Sequence, residues 1–249
     1  MHALLVFLSA WGAGMINSVA GGGTLLSFPT LIWLGVPSIA ANATSTVALW
    51  PGSLGSVWGY RRELRDADRR LVPLAVPSFV GGLAGAVLLY RTPTEVFDRL
   101  VPVLILFATC LFMLQEPIQR RFGLATPRGG SPWLSWTMAF QLLVGLYGGY
   151  FGAGIGILML AALSLMGQTD IHRMNAVKSL LAVCINGIAA AYFAASGLVL
   201  WGDAGIMAAG SIVGGVTGAG LARRLGRPAV RRIVIGIGFG MAVSLMLRL

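Results

Sequence analysis

The chain has 249 residues, of which 57% are hydrophobic and 10% charged, and its formal net charge is +10. Soluble domains carry roughly 25% charged residues, so this composition excludes an ordinary soluble domain and indicates a polytopic membrane protein. The basic residues stand in short blocks between apolar runs, which favours membrane loops over a nucleic-acid-binding surface.

Four apolar segments make up the first half of the chain, and a glycine cluster breaks the first of them. The broken segment covers residues 3–35 and is interrupted at Ala20-Gly21-Gly22-Gly23-Thr24. Unbroken segments follow at residues 38–59, 71–90 and 96–114. About 20 apolar residues cross about 30 Å of hydrocarbon as a helix, so these segments are predicted to span the membrane. The polar residues 115–132 are predicted to form a linker.

The second half repeats this order of segments. A segment at residues 133–167, interrupted at 148–156, precedes unbroken segments at residues 176–199, 204–222 and 229–247. An offset of 133 residues aligns the two halves without gaps and places Asn42-Ala43 on Asn175-Ala176. It also superimposes the Ser-x-Val-Gly-Gly-x-x-Gly-Ala stretches that start at Ser78 and Ser211. We therefore predict two repeats, residues 1–114 and 133–249, on either side of the linker.

Arginine-rich loops determine the predicted orientation of the repeats. Such loops follow the second, fourth and seventh segments, and the positive-inside rule places all three in the cytoplasm. Both termini are then outside, and each broken segment must turn back within the membrane. This placement leaves fourteen arginines inside and three outside, namely Arg91, Arg99 and Arg248. We predict an all-α polytopic transmembrane bundle of two inverted repeats, each a glycine-broken re-entrant helix pair followed by three spanning helices. This fold has eight hydrophobic segments and up to ten helices.

The two glycine clusters are the predicted functional region. Broken backbone at membrane depth must be buried in protein or line a watery cavity. Paired broken helices in inverted halves are typical of secondary transporters, and half-helix N-termini favour anions. Glycines can instead allow close helix packing, which is the role we expect for Gly81, Gly85, Gly214 and Gly218.

Lys178 is the only lysine of the chain and lies inside the sixth segment. An ionisable group there indicates function, although a lysine near a helix end can also extend to the membrane interface. Its repeat mate is Ser45, and Ser53 and Asn186 are a further pair of polar repeat mates. Serine and threonine hydroxyls in such helices can alternatively bond carbonyls of the preceding turn.

The half-helix N-termini and the polar residues beside them are predicted to bind an anion. The predicted substrate-binding residues are Asn17, Gly21, Gly22, Gly23, Thr24, Asn42, Thr44, Ser45, Gly152, Gly154, Gly156, Asn175, Lys178 and Ser179. Asp170 is instead predicted to cap the start of a helix.

We do not expect an enzyme, a cofactor or a metal site. The histidines His2 and His172 and the sparse acids form no triad or HExxH motif. Cys110 and Cys184 lie in apolar runs and are predicted to be small buried hydrophobes. The N-terminus lacks a basic region and a clear cleavage site, so we expect it to belong to the mature protein.

Several of these motifs resemble a known family, the sulfite exporter TauE/SafE family. The first-half stretches Asn17–Thr24, Phe28-Pro29, Asn42–Thr46 and Pro51-Gly52 are similar to its first half, and Gly148–Gly156 followed by Asn175–Lys178 is similar to its second. The resemblance implies a permease of the bacterial inner membrane for sulfite, thiosulfate, sulfonates or other organic anions. This chain departs from the family's glycine-dense second motif at Ala153 and Ile155.

The predicted function is a secondary permease for small sulfur-containing anions that works by alternating access. An anion channel, or a transporter of another small organic anion, is the alternative on the same scaffold. A membrane-embedded enzyme or assembly factor is a third hypothesis. The predicted partners are the small anion and the lipid bilayer, with a homodimer left open and nucleic acid excluded.

Overall fold

The computed structural model describes residues 1–19, 22–65, 69–122, 132–165, 168, 170–225 and 227–247. Within these ranges the chain is helical and contains no strand, which confirms the all-α prediction. A 3-10 helix covers Arg69–Leu74. The α-helices are α1 His2–Val19, α2 Thr24–Trp33, α3 Ser38–Gly59, α4 Arg61–Arg65, α5 Ala75–Arg91, α6 Thr94–Phe122, α7 Pro132–Tyr150, α8 Ile155–Leu165, α9 Ile171–Ala195, α10 Trp201–Leu225 and α11 Arg227–Met246.

Both glycine clusters interrupt helices, as the sequence predicts. The chain leaves α1 at Val19 and enters α2 at Thr24, and it leaves α7 at Tyr150 and enters α8 at Ile155. At 1.5 Å per residue, the 10 residues of α2 and the 11 of α8 extend about 15 Å, half of the hydrocarbon thickness.

The described chain contains eleven α-helices, one more than the maximum of ten that the sequence predicts, and several helices begin or end outside the predicted segments. The short helix α4 forms in the arginine-rich stretch after α3, where the sequence predicts a loop. Helix α6 continues past Leu114 to Phe122, and residues 123–131 of the predicted linker lie outside the described residues.

The apolar surface of the bundle is that of a membrane-embedded protein. In the described chain, Leu71–Arg91, Thr94–Leu114 and His172–Ala195 are long and apolar enough to cross a membrane. Large apolar side chains such as Val103 and Val216 are exposed on the outside of the bundle. A soluble protein rarely exposes apolar side chains so extensively, and lipid is their natural environment.

Helices of the first half pack mainly against helices of the second half. Helix α1 lies along α10 and α5 lies along α7, while α3 packs on α9 and α6 on α11. The aromatic rings of Phe28 in α2 and Phe151 at the second break also meet, with centroids 5.3 Å apart. The breaks of the two halves are therefore held in one shared core.

Glycines allow the closest of these helix contacts. Gly81 and Gly85 of α5 face backbone carbonyls of α7, and a Cβ atom at either position would collide with that backbone. Gly214 of α10 faces the carbonyl of Trp11 in the same way. The predicted packing role of these three glycines is confirmed. The surroundings of Gly218 lie outside the described part of the structure.

Candidate functional site

A cavity of about 560 Å³ lies between the two helix breaks. Its walls come from the end of α1, both breaks, the second half of α3, the first half of α9 and the middle of α10. Eight of the predicted substrate-binding residues line it: Asn17, Gly22, Thr24, Gly152, Gly154, Gly156, Lys178 and Ser179. Ser53 and Asn186, the polar repeat mates, line it as well.

The amide side chain of Asn17 organises the first break. Its Oδ1 accepts hydrogen bonds from the backbone N–H groups of Gly22 at 3.0 Å and Gly23 at 2.8 Å. These N–H groups precede the first turn of α2, so this side chain satisfies two backbone donors at the break. The N–H groups of Gly22 and Gly23 were predicted to bind the anion, but a neutral amide oxygen already accepts their hydrogen bonds. Thr24 follows at the cavity wall. Gly21 lies outside the described residues.

Two glycines with left-handed backbone form the second break. Gly152 has a φ of +81° and Gly154 a φ of +80°, a region that favours glycine. The N–H groups of Phe151 and Gly152 bond the carbonyl of Tyr147, which ends α7. No described residue other than glycine has a positive φ, so Ala153 and Ile155 stand where glycine is not required.

Lys178 lies in the cavity wall beside the second break. Its Nζ donates to Oδ1 of Asn175 at 2.9 Å, and the side chain is half-buried. Its aliphatic stem covers Gly156, where a Cβ atom would lie 3.3 Å from the lysine Cδ. The ion pairs found in the described chain, His2–Asp203 and Arg173–Asp170, do not include Lys178.

The hydroxyl of Ser179 bonds a carbonyl of the preceding helical turn, which was the alternative to a role in anion binding. It donates to the backbone carbonyl of Asn175 at 2.8 Å, one helical turn earlier, while its side chain still lines the cavity. Asn175 is not part of the cavity lining, but its Oδ1 accepts the hydrogen bond from the lining residue Lys178.

Three of the predicted residues, all in the first third of α3, are buried and are not part of the cavity lining. Asn42 Nδ2 donates to the carbonyl of Tyr150 at 3.0 Å. Thr44 Oγ1 accepts from the N–H of Leu200 at 3.0 Å. The hydroxyl of Ser45 meets that of Ser27 at 2.7 Å, so these three residues connect helices in the structure.

Two lining residues have clear chemistry and were not predicted. Trp50 donates its indole N–H to the carbonyl of Val183 at 3.2 Å. Glu63 of α4 lines the cavity with a half-buried side chain. The available signal for Glu63 was an acid in an arginine-rich loop directly after a membrane helix.

Among the described lining residues, Lys178 is the one base and Glu63 the one acid. The described chain also contains no group of three histidine, cysteine, aspartate or glutamate side chains that could hold a metal ion. Both cysteines are free; Cys184 is buried, as predicted, whereas Cys110 is only half-buried.

Asp170 caps the start of α9, which confirms the prediction for this residue. Its carboxylate accepts hydrogen bonds from the backbone N–H groups of Arg173 at 3.3 Å and His172 at 2.9 Å. These bonds favour the ionised form and lower the pKa of the Asp170 carboxyl below its ordinary value. The cap fixes the first turn of the helix that carries Lys178.

A helical bundle with an apolar exterior, two broken helices and a polar cavity between them defines a polytopic α-helical membrane protein. The sequence profile described as Sulfite exporter TauE/SafE matches residues 6–245. The chain therefore belongs to the TauE/SafE family, which confirms the resemblance seen in its motifs.

Similar proteins over almost the full length are named as membrane transporters. One from Haemophilus influenzae, a "probable membrane transporter protein", is 27% identical over 97% of this chain and 93% of its own length. YfcA of Escherichia coli K12, of the same description, is 27% identical over 97% of this chain and 88% of its own. A Sinorhizobium protein, ORF9, is 24% identical over 97% and 91%. No solved structure gives a significant match.

Proposed function

We propose that the chain is a secondary transporter that carries a small sulfur-containing anion, such as sulfite, thiosulfate or a sulfonate, by alternating access. The observation that carries this proposal is Lys178, an ammonium group without a carboxylate partner in the described chain, in the wall of a cavity between two helix breaks. No described acid lies within ion-pair distance of this ammonium, so a small anion that enters the cavity would be able to contact it directly.

The size of the cavity suits a small, partly hydrated solute. Liquid water occupies about 30 Å³ per molecule, so about 560 Å³ holds an ion of a few heavy atoms together with several waters. The hydroxyl of Thr24 and the side-chain amide of Asn186 would offer hydrogen bonds to such an anion. The sulfur-containing class comes from the family, whose profile bears the name of a sulfite exporter.

The proposed mechanism rests on two inverted repeats, residues 1–114 and 133–249. Under the 133-residue offset, α1 corresponds to α7, α5 to α10 and α3 to α9. The α1–α10 contact then corresponds to α7–α5, and α5–α9 corresponds to α10–α3. This correspondence supports a pseudo-two-fold axis that relates the halves, with each break in an equivalent position.

We infer from the lining residues that one end of the cavity is accessible and the other closed. Gly59, Tyr60 and Glu63 lie at the end of α3 that leads to the arginine-rich loop, so this mouth faces the cytoplasm if the positive-inside rule holds. Beyond the second break, the Asn42–Tyr150 and Thr44–Leu200 hydrogen bonds close the opposite side. We assign the structure to an inward-facing state of a protein of the bacterial inner membrane, with both termini outside.

Ligand binding to the purified protein tests the proposed function. Trp50 in the cavity wall provides a fluorescence signal for titrations with sulfite, thiosulfate and methanesulfonate. Lys178→Met should weaken anion binding at least about tenfold, equivalent to about 1.4 kcal/mol. Arg91→Met is the matched control because it removes an exposed positive charge far from the cavity lining, and its affinity should equal that of the wild type.

Two outcomes would overturn parts of the proposal. Binding of a cation or a neutral solute, with none of the three anions bound, would contradict the substrate class. Reconstituted protein that conducts large uncoupled anion currents, without saturable gradient-driven uptake, would identify a channel in place of a carrier.

A further inference from the structure

Glu63 is placed in the cavity mouth with part of its carboxylate buried and unpaired. Its Oε2 is shielded from solvent and has no hydrogen-bond partner among the described residues. The three arginines of its own helix, Arg61, Arg62 and Arg65, are exposed. Arg61 is engaged elsewhere, since it donates to the carbonyl of Trp58 and its guanidinium lies 5.1 Å from the centre of that indole ring.

Among the described residues, the charged groups near Glu63 come from few elements. Helix α4 packs against α3, which carries no charged residue, and against α9. On α9 the titratable or charged residues nearest the mouth are His172, Arg173 and Lys178, and Tyr60 lies next to α4. Arg173 pairs with Asp170 and His172 is exposed, so Lys178 is the described cation that shares the cavity with Glu63.

The charge of the cavity changes when an anion enters it. Without a ligand, the ammonium of Lys178 and the carboxylate of Glu63 sum to zero. A bound anion makes the cavity net negative, which is unfavourable where water is limited. A proton on Glu63 restores the balance and also converts the carboxylate into an O–H donor.

We propose that Glu63 is a proton-binding site that couples anion movement to proton movement. The carboxylate takes up one proton as the anion enters and releases it as the anion leaves, so that both cross the membrane together. No bond other than the O–H bond forms or breaks. This inference rests on the proposed function, because it needs an anion in the cavity.

The affinity for the anion should then depend on pH. Linkage of one proton to binding raises the affinity by up to about tenfold for each unit by which pH falls. The anion used is whichever of sulfite, thiosulfate and methanesulfonate the wild type binds most tightly. All variants are compared at the same pH, so the ionisation of the anion itself cancels.

Glu63→Gln is the principal variant, because glutamine resembles a permanently protonated glutamate. Its anion affinity should be nearly independent of pH. In proteoliposomes, a pH gradient should no longer increase its anion accumulation, whereas one unit of gradient should increase that of the wild type by up to about tenfold. Glu95→Gln, at an exposed position at the start of α6, is the matched control and should keep the wild-type pH dependence.

Specific results would overturn the inference. One is an unchanged pH dependence of anion affinity in Glu63→Gln. A second is the loss of that pH dependence in His172→Gln. The third is anion accumulation by the wild type that follows a sodium gradient and not a pH gradient. If Glu63→Gln does not assemble, Glu63→Asp must retain the pH dependence, and loss of that dependence would equally contradict the inference. Failure of the wild type to bind any of the three anions would instead refute the proposed function.

Discussion

The indole N–H of Trp50 bonds the carbonyl of Val183 at 3.2 Å, and these two positions are 133 residues apart. The same offset aligns the two halves of the sequence. If the halves are related by a pseudo-two-fold axis, a contact between a residue and its own repeat mate lies on that axis. We therefore place the axis at the crossing of α3 and α9, in the wall of the cavity.

Replacement of Trp50 by phenylalanine tests the importance of this crossing. The ring is retained in part, but the carbonyl of Val183 loses its donor, so we expect a loss of about 1 kcal/mol in stability. Thermal unfolding in detergent measures the effect. Trp136→Phe changes an exposed tryptophan of α7 and should leave the melting temperature unchanged. If both variants lose the same amount of thermal stability, the hydrogen bond at this crossing makes no specific contribution to stability.

Substitutions of Asn17 separate its structural role from anion binding. Asn17→Ala removes the acceptor for the N–H groups of Gly22 and Gly23 at the first break, and a buried donor left unsatisfied costs about 1–3 kcal/mol. Asn17→Asp keeps an acceptor and adds a negative charge at a helix N-terminus, so it should retain the melting temperature. That charge lines the cavity, so anion affinity should fall at least about tenfold, measured by tryptophan fluorescence. Unchanged affinity in Asn17→Asp would exclude the first break from the anion site.

Two glycines of α10 provide a matched test of helix packing. A Cβ atom at Gly214 would collide with the carbonyl of Trp11, whereas nothing lies within 4 Å of a Cβ atom at Gly205. Gly214→Ala should therefore destabilise the protein by about 1–3 kcal/mol through overpacking. Gly205→Ala should be neutral or slightly stabilising, because alanine has the higher helix propensity. Thermal unfolding of both variants in one detergent gives the comparison, and similar melting temperatures would contradict the close α1–α10 contact.

The cap of α9 should depend on pH. Because the pKa of Asp170 is lowered by its hydrogen bonds, its contribution is complete above the ordinary pKa of an aspartate, about 4. It is lost as pH falls through the lowered value. Hydrogen exchange of the first turn of α9 should accelerate in that acidic range. In the variant Asp170→Asn the amide caps the helix without titrating, so the acceleration should disappear, and its persistence would assign the effect to another group.

The helices and their breaks could be predicted from the sequence because they follow from local composition. Apolar runs mark the spans, and clustered glycines mark positions such as Gly152 and Gly154, where the backbone needs a left-handed conformation. The two breaks were expected at the functional region, and both line the cavity.

The direction of individual side chains could not be predicted, because it depends on how the helices rotate and pack. Asn42 and Thr44 look like ligands in the sequence, yet their side chains connect α3 to Tyr150 and Leu200. Glu63 was not predicted as a site residue, because its position also depends on how the helices pack. Its role depends on α4 folding over the mouth of the cavity, which a loop of arginines does not reveal.

The pairing of α1 with α10 also constrains how the protein is made. Helix α1 is synthesised first, but its main partner is the last helix but one, so more than 180 residues must follow before the pair can form. Until α10 has been synthesised, the face of α1 that contacts the glycines of α10 is not covered by protein. Co-expression of the two halves as separate polypeptides should therefore rescue each of them from degradation, since neither half contains the partners that its own first helix requires.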